Sequence, residues 1–219
     1  MFRLFIIFSF LNILGLFISP TLNAAELEKV RMQLRWHHQY QFAGYYAAKH
    51  KGYYEQAGFD VELVAGDPNT QPVQEVLAGR ADFAEGNSEV LINRLNGEPL
   101  VALAAIFQHS PSVLVTMADA NISKAEHLKH KKVMLAGNND DADLIAMFRA
   151  AGLQENQIQI LKSSYQLSDL INGKTDAFNS YSTNEPFFIE EQGLKYNIIA
   201  PIDYGVDFYS DILFTSEQR

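Results

Sequence analysis

Residues 79–83 read Gly-Arg-Ala-Asp-Phe, and residues 173–177 read Gly-Lys-Thr-Asp-Ala. In both stretches a glycine that ends a predicted helix is followed, three residues later, by an aspartate that opens a short strand. A second pair, Ala57-Gly58-Phe59 and Ala151-Gly152-Leu153, shares the same offset of 94 residues. Two independent helix-stop signals with one offset predict two structural units of the same layout.

Each unit alternates strand and helix patterns in the order βαβαβ. In the first unit, Val30–Trp36 and Phe59–Val64 alternate apolar and polar residues as half-buried strands do, and Gln71–Leu77 suits a helix. The continuous apolar run Leu100–Phe107 predicts a strand that is buried on both faces. Strands that alternate with helices favour mostly parallel sheets, so the sequence predicts an α/β fold.

The two units predict two lobes joined by a hinge, a plan that lets a protein close on a ligand. We expect lobe one over residues 25–110 and lobe two over residues 111–205. Residues 206–219 are expected to return to lobe one. Proteins of this layout usually continue after that return, so we expect either a fragment of a longer protein or an incomplete lobe one, and we favour a fragment.

The first 24 residues have the pattern of a secretory signal. Arg3 precedes an apolar run, and the small-residue end Leu22-Asn23-Ala24 provides a cleavage site. A membrane anchor is the alternative, but the run is shorter than the ~20 residues that a spanning helix needs. We therefore expect a periplasmic protein exported by a signal peptide at residues 1–24.

Charge and cysteine content exclude several classes of function. The net charge is −9, and loss of Arg3 with the signal would make it −10, so no basic footprint for nucleic acid is present. The chain has no cysteine, which excludes thiol nucleophiles, thiolate metal sites and iron–sulfur clusters.

Ligands of parallel α/β sheets bind outside the carboxyl ends of the strands, so the candidate site residues are those that follow each strand. The single tryptophan, Trp36, ends the first strand and can present its face to a planar ligand, or it can belong to the core. His37 and His38 point to opposite sides of an extended segment and form no metal set, although His38 can donate to a ligand. Of the aromatics that follow, we assign Phe42 and Tyr45 to the cleft wall.

Further candidates follow the later strands. Asn87 offers a donor and an acceptor to a heterocyclic edge, while Ser88 and Glu89 open a helix, where Ser88 alone can be a simple N-cap. Asp140 occupies the equivalent place in lobe two, as a cap or as a carboxylate that grips a ring amino group. Near the end of lobe two we choose Tyr181 and Glu185, and we expect Glu185 to be extended because a proline follows it.

Six segments in order carry a resemblance to a known family, which runs from about Val30 to Ser216. They are WHHQYQFAGYYAAKHKGYYEQAGFDVEL, VLAGRADFAEGNSEVL, LVALAAIFQHSPSVLV, HLKHKKVML, LINGKTDAFNSYSTNEPF and YGVDFYSDILFTS. Together they resemble the periplasmic binding proteins of the thiamine-pyrimidine-synthase-like group, which is related to sulfonate-binding proteins of the SsuA type. The resemblance implies a type II periplasmic-binding-protein fold and an aromatic sandwich for a flat heterocycle, with Trp36 on one side.

The enzyme branch of that family differs from this sequence at the residues that carry its reaction. Where the synthases have a histidine that supplies atoms to the product, this chain has Phe42, and their cofactor-anchoring lysine falls near Gly86. Their cysteine-rich iron site has no counterpart. The sequence therefore favours a binding protein without catalytic residues, metal or cofactor over an enzyme of thiamine pyrimidine synthesis.

The expected function is capture of a small planar solute by closure of the lobes. A pyrimidine precursor of thiamine is the first candidate. An ABC permease would receive the solute; a fused or associated membrane signalling protein is the alternative partner, in which case the chain is a sensor module.

Overall fold

The computed structural model describes residues 26–137 and 141–219, and the following bounds refer to them. The strands are β1 (Glu28–Gln33), β2 (Phe59–Val64), β3 (Phe83–Gly86), β4 (Leu100–Phe107), β5 (Ser112–Met117), β6 (Lys132–Leu135), β7 (Gln159–Lys162), β8 (Ala177–Tyr181), β9 (Tyr196–Ile199) and β10 (Ser210–Ser216). The helices are α1 (Ala43–His50), α2 (Tyr53–Gln56), α3 (Pro72–Leu77), α4 (Glu89–Leu95), α5 (Ala142–Ala150), α6 (Leu167–Ile171) and α7 (Glu185–Glu191).

Two five-stranded sheets organise these elements, and both have the same plan. The order is β2-β1-β3-β10-β4 in sheet one and β7-β6-β8-β5-β9 in sheet two. In each sheet the fourth strand is antiparallel to both of its neighbours, while the pairs among the first three strands are parallel. The predicted α/β class, with two mostly parallel sheets, is confirmed. We call sheet one with α1–α4 lobe one, and sheet two with α5–α7 lobe two.

The glycine pair of the internal repeat lies at equivalent places in the two lobes. Gly79 follows α3 with φ of +67°, and Gly173 follows α6 with φ of +70°. This left-handed region carries a Cβ penalty for other residues, so glycine ends each helix at little cost. The chain then enters β3 or β8, the central strand of its sheet.

The chain crosses between the lobes twice, and the two crossings touch. The first joins β4 to β5 and the second joins β9 to β10. The backbone N–H of Ser110 donates to the carbonyl of Phe208 at 2.8 Å. His109 Nδ1 also lies 2.9 Å from the carboxylate of Asp207. The hinge is therefore a pair of adjacent segments that hydrogen-bond to each other.

Each sheet packs its apolar side chains into separate clusters on its two faces. In lobe two, Phe148 and Met147 of α5 are fully buried against β5, β6 and β8. In lobe one, Phe214 of β10 is fully buried beside Val76 of α3. In the part of the chain that the structure describes, no helix has the length and apolar character needed to cross a membrane.

Strand β4 corrects one prediction. The apolar run Leu100–Phe107 does form a strand, but it is the edge of sheet one and pairs with β10. Val101, Leu103 and Ile106 are 37%, 50% and 44% exposed. A continuous apolar run does not say how many sides of a strand are covered, and an edge position leaves one side without a strand neighbour. The prediction of a buried strand was therefore wrong.

Candidate functional site

A cavity of about 140 Å³ lies between the lobes, at the carboxyl ends of their strands. Lobe one contributes residues after β1, β2 and β3, and lobe two contributes residues on β5 and β8 and residues after β6, β7 and β8. A single water needs roughly 10–15 Å³ in a comparable measure, so the cavity has room for about ten non-hydrogen atoms. Its position agrees with the general rule for α/β sheets, and its size fits a small organic molecule.

An aromatic pair spans the cavity. Trp36 of lobe one and Tyr165 of lobe two have ring centroids 5.0 Å apart, with their planes inclined by 53°. The ring of His37 meets Trp36 edge-on at 5.4 Å. Aromatic pairs of this kind contribute about 0.5–1.5 kcal/mol beyond the area they bury. The two rings therefore attract the lobes to each other and provide flat surfaces on opposite sides.

Tyr165 has an unusual backbone conformation, with φ of +56°. A bulky residue in this left-handed region costs about 1–3 kcal/mol, and such residues concentrate at ligand sites. The hydroxyl of Ser163 accepts the backbone N–H of Tyr165 at 3.2 Å, which holds the turn after β7. Sequence reasoning missed Tyr165, although it stands where ligand residues are expected, just past the end of a parallel strand.

Carboxylates from helix starts accept backbone N–H groups at two strand ends of the cavity. Both Glu89 carboxylate oxygens lie 2.8 Å from the N–H of Asn87, after β3. Glu185 accepts the N–H of Tyr181 at 2.9 Å, at the end of β8, and the side-chain amide of Asn184 at 2.7 Å. Each carboxylate is thus fixed by the turn that precedes its own helix.

The same arrangement recurs after β6. Asp141 accepts the N–H of Ala136 at 3.1 Å and the N–H of Gly137 at 2.7 Å. At the ends of β3, β6 and β8, backbone N–H groups therefore donate to the carboxylates of Glu89, Asp141 and Glu185. The predicted residue Asp140 lies outside the described residues, and its neighbour Asp141 lines the cavity.

Arg35 connects both lobes and the returning strand. Its guanidinium donates a hydrogen bond to the hydroxyl of Tyr181 and lies 5.7 Å from the centre of that ring. Arg35 Nη1 is also 3.6 Å from Asp211 Oδ1, and the Tyr181 hydroxyl donates to the same oxygen at 3.1 Å. Gln41 donates to the other oxygen of Asp211 at 3.3 Å. Burial raises the pKa of Tyr181, so its hydroxyl keeps the proton that it donates.

A second buried carboxyl, Glu85, lies in lobe one and is coupled electrostatically to Asp211. Burial raises the pKa of both carboxyls, and that of Glu85 reaches about 9. Asp211 has Arg35 and the hydroxyls as donors, whereas Glu85 has Tyr45 Oη at 3.4 Å and an Oε2 with no partner among the described residues. At neutral pH, Glu85 therefore holds its proton, whereas the donors around Asp211 favour the ionised form of that carboxyl.

The cavity brings together five of the predicted site residues, and these are Trp36, Asn87, Glu89, Tyr181 and Glu185. Four others lie outside its lining, and these are His38, Phe42, Tyr45 and Ser88. Burial and partners explain each of these four placements.

Phe42 is fully buried in the lobe-one core beside Leu34 and Val61, so its assignment to the cleft wall is corrected: it supports the wall from behind. His38 is on the outer surface, where its ring is hydrogen-bonded to the hydroxyl of Tyr46. The segment between β1 and the 3-10 turn at Tyr40–Phe42 has irregular backbone, so its side chains do not follow the alternation of a strand.

Tyr45 and Ser88 are placed beneath the cavity rather than along it. Tyr45 packs on the lobe-one core and directs its hydroxyl to Glu85. The Ser88 hydroxyl is buried and makes no capping hydrogen bond, and the backbone of Ser88 is already helical, with φ of −57° and ψ of −21°. Glu185 was expected to be extended, but it is the first residue of α7, with Pro186 in the first turn.

Asn179 is a further lining residue that sequence reasoning missed. It lies on β8, and its side-chain oxygen is buried without a hydrogen-bond partner among the described residues. An unpaired buried acceptor costs free energy until a donor reaches it. Within residues 26–137 and 141–219, no group of three or more histidines and acidic residues could hold a metal ion.

Two lobes of one topology, joined by a double crossing and closed over a small cavity, define the class of two-lobed solute-binding folds. The chain belongs to the NMT1/THI5-like family, whose sequence model matches residues 39–219. The resemblance that the six sequence segments indicated is thereby confirmed.

Relatives with assigned names support this placement. A Haemophilus influenzae protein named for thiamine biosynthesis is 24% identical over 219 residues, which cover 97% of this chain and 68% of the relative. The formylaminopyrimidine-binding protein of Halalkalibacterium halodurans is 24% identical over 196 residues, covering 88% of this chain and 59% of the relative. The chain thus spans about three fifths to two thirds of the length of these proteins.

Among solved structures, the periplasmic aliphatic sulphonate-binding protein SsuA of Escherichia coli has the same fold. It superposes with a TM-score of 0.68 and 16% identity, over 87% of this chain and 66% of the other. The fold is therefore that of the type II periplasmic binding proteins, as the sequence predicts.

Proposed function

We propose that this chain is the ligand-binding part of an exported solute-binding protein that captures a small planar heterocycle bearing amino groups. The single observation that supports this most strongly is the composition of the interlobe cavity. It combines the Trp36–Tyr165 pair with hydrogen-bond acceptors at the strand ends. A pyrimidine precursor of thiamine is the first candidate solute.

The aromatic pair suits a flat ring. Trp36 and Tyr165 come from different lobes, so a small opening of the hinge separates their faces and admits a planar molecule between them. Closure then buries both faces of the ligand and excludes water from its edge. Since aromatic side chains lose little conformational freedom on binding, such a sandwich provides affinity at low entropic cost.

The polar groups of the cavity suit ring amino groups. The carboxylate of Glu185, at the start of α7, and the side-chain oxygen of Asn179, on β8, are acceptors that line the cavity, and the oxygen of Asn179 has no partner among the described residues. An amino group on the ring edge supplies the donors that these oxygens need. A site built on such bonds strongly rejects analogues that lack the donor, because its own buried group then stays unpaired.

A binding role explains this cavity better than a synthase role. Phe42, where the synthase branch has its histidine, is buried in the core and cannot reach a reactant. A Cβ at Gly86 would lie 2.6 Å from Glu89 Oε1, so a longer side chain does not fit there without displacing the neighbouring turn. We propose capture and closure without a covalent step.

The proposed partner is an ABC permease that recognises the closed form. Export is supported by the signal pattern of residues 1–24 and by the periplasmic fold. A membrane signalling protein would read the same closed form if the chain is a sensor module. Neither partner changes the ligand chemistry of the cavity.

Titration calorimetry and thermal shift with formylaminopyrimidine, the compound that names one relative, test the proposal. A ligand at 100 times its dissociation constant stabilises the fold by about 2.7 kcal/mol. Trp36→Ala should abolish binding and keep the fold. Tyr40→Ala is the matched control, since Tyr40 lies in the same segment, is 93% exposed and does not line the cavity.

Unchanged affinity in Trp36→Ala would remove the aromatic pair from the proposal. Absence of binding by the wild type to this compound and to a panel of other amino-substituted heterocycles would overturn the proposal as a whole.

A further inference from the structure

We propose that the cleft excludes anionic solutes through its own carboxylates, with Asp211 as the residue that determines this specificity. The inference rests on the proposed function, in that the interlobe cavity is the ligand site. Asp211 does not line the cavity. It acts by holding the charge of Arg35, the one lysine or arginine among the described residues that do line it.

The geometry around Asp211 leaves its carboxylate committed to the protein. Its side chain is completely buried, and that of Arg35 is 16% exposed. One carboxylate oxygen lies 3.6 Å from Arg35 Nη1 and 3.1 Å from the Tyr181 hydroxyl that donates to it. The other accepts from Gln41 at 3.3 Å. Because a buried ion pair loses much if one partner is removed, Arg35 remains with Asp211 in the closed protein.

The backbone conformation of Asp211 also indicates that the fold specifies the contact between Asp211 and Arg35. Asp211 has φ of +47°, an uncommon conformation for a residue with a side chain. It stands at the start of β10, one residue after Ser210, whose hydroxyl lies 3.0 Å from the Tyr181 hydroxyl. The returning strand thus enters lobe one with its carboxylate beneath the end of β1, where Arg35 lies.

The other places where an anion could bind are also occupied by carboxylates of the chain. N–H groups at strand ends are the usual anion donors of α/β sheets. Here those at the ends of β3, β6 and β8 donate to Glu89, Asp141 and Glu185. An anionic solute would meet these three carboxylates, the carboxylate of Asp67 and a neutralised arginine.

This arrangement separates ligand classes within one fold. The structural neighbour from Escherichia coli is named as a binding protein for aliphatic sulphonates, which are anions. The cavity described here favours solutes that donate hydrogen bonds and that are neutral or cationic. Removing the charge of Asp211 should release Arg35 to the cavity and admit an anion.

Calorimetric titration with methanesulfonate tests this directly. We expect no saturable binding to the wild type, and at least a tenfold higher association constant for Asp211→Asn. The gain should fall as salt rises, because it depends on charge. The double variant Arg35→Gln/Asp211→Asn should lose the gain. Glu62→Gln removes one negative charge from an exposed side chain outside the cavity and should show no gain.

A folded Asp211→Asn that binds methanesulfonate no better than Glu62→Gln would overturn the inference. If Asp211→Asn does not fold, the wild-type titration decides, since saturable methanesulfonate binding by the wild type would also overturn it. Titration of the wild type with formylaminopyrimidine is a separate measurement. Its failure counts against the proposed function, while a sulfonate gain in Asp211→Asn still supports the role of Asp211.

Discussion

Replacing Glu85 by glutamine should make the protein less sensitive to alkaline pH. The Glu85 side chain is completely buried, and one of its oxygens has no partner among the described residues. Burial is the main cause that raises the pKa of Glu85 to about 9, and the charge of Asp211 adds to it, while Arg35 opposes. Glutamine has nearly the same shape and carries no titratable proton.

The sign of the effect follows from which state binds the proton. In the unfolded chain Glu85 ionises near its ordinary pKa of 4.5, whereas in the folded protein it keeps its proton until about pH 9. Between these values the folded state binds more protons, so rising pH lowers the free energy of unfolding. Each pH unit contributes about 1.4 kcal/mol, which gives an upper limit of about 4 kcal/mol between pH 5 and pH 8.

Urea denaturation at pH 5, 6, 7 and 8 measures this difference. The free energy of unfolding of Glu85→Gln, minus that of the wild type, should increase steadily toward pH 8. Other titrating groups cancel in the difference, and Glu62→Gln, at an exposed position, should give a flat line. A flat line for Glu85→Gln as well would refute the reasoning, because it would mean that Glu85 is ionised in the folded protein.

Two further substitutions probe the turns of the cavity. Gly86→Ala places a Cβ 2.6 Å from Glu89 Oε1 and 2.7 Å from Val90 Cγ2, so urea denaturation should show that the free energy of unfolding falls by about 1–3 kcal/mol. Gly44→Ala is the control, because a Cβ at Gly44 has no atom within 4 Å. Equal stability of the two variants would contradict the packing argument. Glu185→Gln should weaken binding of formylaminopyrimidine at least tenfold by calorimetry, whereas Glu191→Gln, exposed at the other end of α7, should not; equal affinities would remove Glu185 from the site.

The sequence predicts the architecture well because its signals are local. Gly79 and Gly173 end their helices in nearly the same conformation, and each leads into the central strand of its sheet. A glycine followed by an apolar strand pattern needs no knowledge of distant residues. The general position of the site follows as well, since parallel strands direct their carboxyl ends to one edge.

The individual site residues are predicted less well because their contacts are distant in the chain. Arg35 and Asp211 meet across 176 positions, and no local pattern pairs them. Tyr165 meets Trp36 only because two lobes close on each other. Phe42 and His38 fail for a related reason: a turn of irregular backbone follows β1, and periodicity cannot tell which side chains face the cavity there.

The return of the chain to lobe one after lobe two has a consequence for synthesis. Sheet two is made wholly of residues 112–199, a continuous segment, whereas sheet one requires β10, residues 210–216, between β3 and β4. A growing chain therefore carries every strand of lobe two before the strand that completes lobe one exists. Until then β4 has no partner and β3 has an open side, and open strand edges invite pairing with other chains. The strand at residues 210–216 is thus the one that protects the first lobe from aggregation.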